Sequence, residues 1–165
     1  MTPIPARIVE LTWIEQAQLE PSEIQAVVQK FSRQQPVILA YLMAMGDNML
    51  NRDERELLLY LGTAVWQMME RGGKRLKQVD EETIQDFEDK NIKMLQYLED
   101  EPNGEFNTTV EKIIRNYNQK EVLRYVVEAL FEEDDEEAAE TSEIREEMLG
   151  QIFVFLKIVI DCLDQ

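Results

Sequence analysis

Residues Ile152 to Ile160 read IFVFLKIVI, which as a helix would be apolar on nearly every side, with Lys157 the sole interruption. A helix with no wet face is buried, either in the core of its own chain or in a partner. That one segment asks the remaining helices to surround it. The chain has 165 residues, a length that suits one domain burying about two thirds of its unfolded surface. Its 44% apolar content is that of a globular protein, and with 6 Gly and 5 Pro the turns are few and the elements long. The expected fold class is all-α.

Apolar periodicity and capping signals predict about eight helices. The first covers about 6 to 19. The second starts at Ser22, where Ser22-x-x-Gln25 reads as a capping box, and carries Ile24, Val27, Val28 and Phe31 on one face. Pro36 opens the third. Asp53-x-x-Glu56 is expected to cap the fourth, with Leu57, Leu58, Leu61, Val65, Met68 and Met69 as its stripe. Asp80 opens a fifth helix reaching about Glu99, along Ile84, Phe87, Asn91, Met94 and Leu98, before the EPNGE break. The sixth presents Phe106, Val110, Ile113, Ile114 and Tyr117. Asn118-x-x-Glu121 caps the seventh, and the eighth runs from Ser142 to near Leu163.

These eight read as four used twice. ILAYLMAM (Ile38 to Met45) aligns with VLRYVVEA (Val122 to Ala129), EIQAVVQKF (Glu23 to Phe31) with TVEKIIRNY (Thr109 to Tyr117), and YLG at Tyr60 with MLG at Met148. The expectation is a single domain over 1–165, packed as two tandem four-helix repeats, about 6–70 and 80–163. A basic linker at 71–79 joins them, and an acidic loop falls at 132–141. The fourth and eighth helices are expected at the centre. Charge divides at the same seam: residues 1–79 hold nine Lys and Arg against nine Asp and Glu, so the whole net charge of −17 belongs to 80–165.

No histidine occurs. This removes Ser-His-Asp and Cys-His nucleophile systems, the usual zinc sites and the Glu-x-x-His di-iron pattern. The single cysteine, Cys162, forms no internal disulfide and reads as a small buried thiol. The longest unbroken apolar run, VILAYLMAM from Val37 to Met45, falls far short of a membrane span, and MTPIPARIVEL lacks the apolar core of a signal peptide. A cytoplasmic protein without membrane contact is expected, with no cofactor, no metal and no catalytic residue assigned. Its oligomeric state is open, an apolar helix being able to serve a dimer.

Two charged stretches are candidate sites. Arg71, Lys74, Arg75 and Lys77 surround Gly72 and Gly73, and are the candidate anion-binding residues. GGKRL (Gly72 to Leu76) resembles the GGKR element with which trans-prenyl synthases hold a substrate diphosphate. The metal half of that chemistry has no counterpart, since the nearest run to a DDxxD motif, DDEEA at Asp134, ends in Ala138. A P-loop fails on spacing. The plainer reading is a joint: a glycine in the left-handed conformation ends the fourth helix, with cations near its negative end.

The second stretch, Glu132 to Glu147, holds ten carboxylates and one arginine. Glu132, Glu133, Asp134, Asp135, Glu136, Glu137 and Glu140 are the candidate partner-binding residues, for a protein partner of basic or mixed charge. A calcium loop counted from Asp135 has Ala139 at position 5 and Glu140 where glycine is required at position 6. The chain would repel phosphate, which argues against nucleic acid. Together these point to a non-enzymatic protein-interaction module: an adaptor, a chaperone-like protein or an inhibitor. The alternative is a carboxylate-based, magnesium-dependent hydrolase similar to the all-helical nucleotide pyrophosphohydrolases, using Glu82 and Asp86.

Overall fold

The computed structural model describes residues 1–99, 103–132 and 143–165. Among them lie eight helices and no strand: α1 (Ala6–Ala17), α2 (Pro21–Gln34), α3 (Pro36–Met49), α4 (Arg52–Arg71), α5 (Glu81–Glu99), α6 (Asn103–Asn116), α7 (Lys120–Phe131) and α8 (Glu146–Leu163). The all-α expectation holds. Apolar period decides where helices form, because each can bury only one stripe and most of their stability comes from that burial.

The centre is a pair of parallel helices, α4 and α8. Their N-terminal ends meet through Glu54 and Arg145, Gly62 of α4 faces Leu156 of α8 midway, and the N-terminal residues bridge their far ends. Packed around the pair, α1, α2, α3 and α7 lie on α4, while α3, α5 and α7 lie on α8. Leu61, Val65 and Met68 are buried, as are Ile152, Phe155 and Val159. The stretch that is apolar on nearly every side is therefore covered by its own chain. A Cβ on Gly62 would sit 2.6 Å from Leu42 Cδ1, so glycine at this position is what lets α3 close on α4.

Neighbour relations recur between the halves. α1 packs on α4 and α5 on α8; α2 packs on α3 and α6 on α7; α3 packs on α4 and α7 on α8.

Helix starts differ from expectation. α2 begins at Pro21, which loses nothing by lacking an N–H at the first helical position, and Glu23 accepts from the Glu20 N–H at 2.8 Å. α4 is capped by Asn51, whose side chain accepts from Glu54 N at 3.0 Å while Glu54 accepts from Asn51 N at 2.9 Å. Asp53 is instead drawn to Glu143 N at 3.0 Å. At α7 the cap position is Gln119, one residue past Asn118, and its side chain makes no cap bond, its amide being spent on the N-terminal segment at Thr2 and Ile4. α1 ends at Ala17, and α8 begins at Glu146. Ser142, its expected start, lies outside the described residues. Among the described residues, no helix is long and apolar enough to cross a membrane.

Candidate functional site

Three polar assemblies stand out against the apolar core, at the two ends of the α4–α8 pair. At the N-terminal end, Glu54 is fully buried and accepts from Arg145 N at 3.0 Å, Nε at 2.8 Å and Nη2 at 2.8 Å. These bonds to Arg145 hold the Glu54 carboxyl at about 2, well below its ordinary range. Asn51 Nδ2 donates to Glu143 O at 2.7 Å and Arg145 Nη2 to Met49 O at 3.1 Å, so the chain leading into α8 is tied to the start of α4. The one arginine of the acidic stretch is a clamp. Of the candidate partner residues, Glu132 is exposed just after α7, and Glu133, Asp134, Asp135, Glu136, Glu137 and Glu140 lie outside the described residues.

At the C-terminal end, α5, α8 and Tyr117, just past α6, meet in a second assembly. Lys157 Nζ donates to Asp161 Oδ2 at 2.8 Å and to Asn91 Oδ1 at 2.9 Å, and stands 5.0 Å from the centre of the Tyr117 ring. Asp161 also accepts from Asn91 Nδ2 at 2.9 Å and from the Tyr117 hydroxyl. Burial first, then the Asp161 charge, pushes the Tyr117 hydroxyl far up, so it stays protonated. Each charge in this network meets its opposite, which makes it a structural lock within the core. Next to it, Asp164 accepts from Gln119 Nε2 at 2.6 Å and from Asn118 Nδ2 at 2.9 Å, pinning residues 1–4 beside α7. Sequence reading missed both locks. The signals were Asn91 on an otherwise apolar stripe, Lys157 inside an apolar run, and a lone arginine among ten acids.

The third assembly is the basic segment. Gly72 follows the last turn of α4 and Gly73 takes φ +96°, as a glycine ending a helix does. Arg71 turns back to α1, 2.6 Å from Glu15 and 3.2 Å from Thr12 Oγ1. It is thereby separated from the other candidates. Lys74 is exposed. Arg75 and Lys77 border a hollow of about 560 Å³ together with Arg33, Gln34, Glu70, Leu76 and Gln78. Arg33, at the end of α2, was not among the expected residues; its position in the sequence, some forty residues upstream, gives no hint of it. Gln35 is 1% exposed and spends its amide on the segment's backbone: Nε2 donates to Lys77 O at 2.8 Å, and Oε1 accepts from Val79 N at 3.0 Å.

A neighbouring hollow of about 630 Å³ is bordered by Pro36, Val37, Gln78, Val79, Asp80, Glu81 and Glu82. Asp80 caps α5, accepting from Thr83 N at 2.9 Å. Glu82 and Asp86 are exposed. Among the described residues, no three Asp, Glu, Cys or His side chains gather as a metal would require. Burial pushes the Cys162 thiol up to about 12, so it is neither a nucleophile nor a ligand at neutral pH. Comparison with known protein families, with curated proteins and with solved structures gives no match.

Proposed function

We propose that this chain is a non-enzymatic protein-interaction module of the cytoplasm, an adaptor, chaperone-like protein or inhibitor, whose acidic second half meets a protein partner of basic or mixed charge. The observation that carries the reading is the placing of its carboxylates. Glu81, Glu82, Asp86, Asp89, Glu132, Glu143, Glu146 and Glu147 are all exposed. The one fully buried carboxylate among the described residues, Glu54, is already held by Arg145. Acids spread over an outer surface create a field that draws in a basic partner; acids gathered in a cavity would serve catalysis.

The test is a pull-down from the native cell at low and high salt, followed by association kinetics with the purified partner. Replacing the acids of Glu132 to Glu140 by Gln or Asn should slow association, and salt should mimic the change by shortening the field to about 8 Å at physiological strength. An unchanged rate would remove the acidic run from the proposal.

The hydrolase reading draws on the hollow beside Asp80, Glu81 and Glu82. Magnesium-dependent turnover of a nucleoside triphosphate, lost in Glu82→Gln with Asp86→Asn, would establish it in place of the module. We also propose that the halves are two copies of one four-helix unit turned about an axis along α4 and α8, in keeping with their matching neighbours. An experimental structure in which 22–70 and 108–163 do not superpose would remove that.

A further inference from the structure

We propose that the hollow between the C-terminal ends of α2 and α4 and residues 75–78 is a docking site for a short carboxylate-rich peptide segment of a partner protein. It is a second surface, independent of the acidic one: it lies at the other end of α4, where Glu70 stands about 24 Å from Glu54 by helix rise. Either surface can fail its test without touching the other.

Three cations from two separate parts of the chain, Arg33, Arg75 and Lys77, border the hollow. All three are exposed, and among the described residues none has an ion-pair partner. The hollow's own carboxylate does not cancel them. Glu70 is already engaged, 2.7 Å from Lys30 Nζ and 3.0 Å from Gln34 Nε2. Nor is the basic segment a free tether. Gln35 grips its backbone at two points and Leu76 packs against the core, so the backbone that carries Arg75 and Lys77 is fixed beside the hollow before anything binds. Holding a site in place in advance reduces the ordering cost of binding.

The surroundings select the occupant. The hollow lies in the neutral half of the chain, but Asp80, Glu81 and Glu82 border the adjoining hollow across Gln78, and the net charge of the whole chain is −17. A long polyanion such as nucleic acid would run out of the hollow onto like charge. A peptide bearing a few carboxylates would not, and the forked donors of Arg33 and Arg75 match planar carboxylates in pairs. Its peptide groups can also meet the polar side chain of Gln78 on the same rim.

The test uses the whole chain and fluorescein-labelled hexaglutamate, followed by anisotropy at low salt. Replacing Arg33, Arg75 and Lys77 together by Gln should weaken binding about tenfold, the loss expected for three solvent-exposed ion pairs. Lys93, Lys112 and Arg115 replaced together by Gln give the same change in net charge on other exposed sites, and should leave affinity within about threefold. Circular dichroism establishes that both variants keep their helices. The proposal is overturned if wild type shows no saturable binding, if both variants lose affinity equally, or if the hollow variant loses none. It is also overturned if a single-stranded oligonucleotide or inorganic phosphate competes at the concentration of the peptide. Self-association of the unlabelled protein that the three hollow substitutions abolish would assign the site to a second copy of this chain, and overturns the partner reading.

Discussion

Replacing Glu54 by Gln keeps the size of the side chain and removes one acceptor oxygen. In the native structure Oε1 accepts from Arg145 N and Nε, and Oε2 from Asn51 N and Arg145 Nη2. Whichever oxygen becomes an amide, one backbone donor and one guanidinium donor lose their acceptor. A neutral bond of this kind contributes about 1 kcal/mol and a charged one roughly 1.5–3 kcal/mol. Arg145 is 44% exposed in its side chain and can turn to water, which trims the total to about 2–3 kcal/mol. For a chain of this length that corresponds to a fall in Tm of about 5–10 °C.

The pH dependence gives the independent check. Glu54 titrates at about 2 in the folded protein against an ordinary 4.5. The folded state therefore binds fewer protons between those values, and the stabilisation is complete above the ordinary value and fades as pH falls toward 2. Urea titrations of wild type and variant at pH 7, 5 and 3 should show a gap that is constant down to about pH 5 and reduced by more than half at pH 3. The remaining carboxylates affect both proteins alike and drop out of the difference. A gap below about 1 kcal/mol at pH 7, or one that stays the same at pH 3, would refute the reasoning.

Phe155→Ala removes a ring that is 3% exposed and meets Tyr41 edge-on at 6.1 Å; it should cost about 3–5 kcal/mol in a urea titration, and less than about 1 would place α8 at the periphery. Lys157→Met leaves Asp161 inside the protein without its cation and should cost about 2–3 kcal/mol, while Lys93→Met on the exposed face of α5 should stay within about 0.5. Cys162, with its thiol buried and pushed up to about 12, should resist a thiol reagent at pH 8 in the native protein and react at once in urea.

Element type and centre were legible because both are local properties of the chain. The stripe Leu57, Leu58, Leu61, Val65, Met68 and Met69 and the run from Ile152 to Ile160 state their period and their burial without reference to anything else. Caps were less legible for a related reason. Several acceptable cap residues stand within a few positions of each other, and the winner is chosen from outside the helix. Asn51 prevails over Asp53 at α4, and both its own Nδ2 and the Asp53 carboxylate are engaged by Glu143, ninety and more residues away.

By itself the sequence determined that this is an all-α chain with α4 and α8 inside, that histidine chemistry is absent, and that the net negative charge lies in the second half. The tertiary structure alone decided what the isolated polar residues do. Arg145 reads as one cation among ten acids until α8 lies parallel to α4 and sets it against Glu54. Lys157 reads as a flaw in an apolar helix until Asn91, Asp161 and Tyr117 close around it. Arg33 joins Arg75 and Lys77 only because α2 ends beside α4. The physical reason is one of range: hydrophobic period acts between residues three and four apart, while a charge inside or beside a protein takes its role from whichever group the fold brings within about 3 Å, at any distance along the chain.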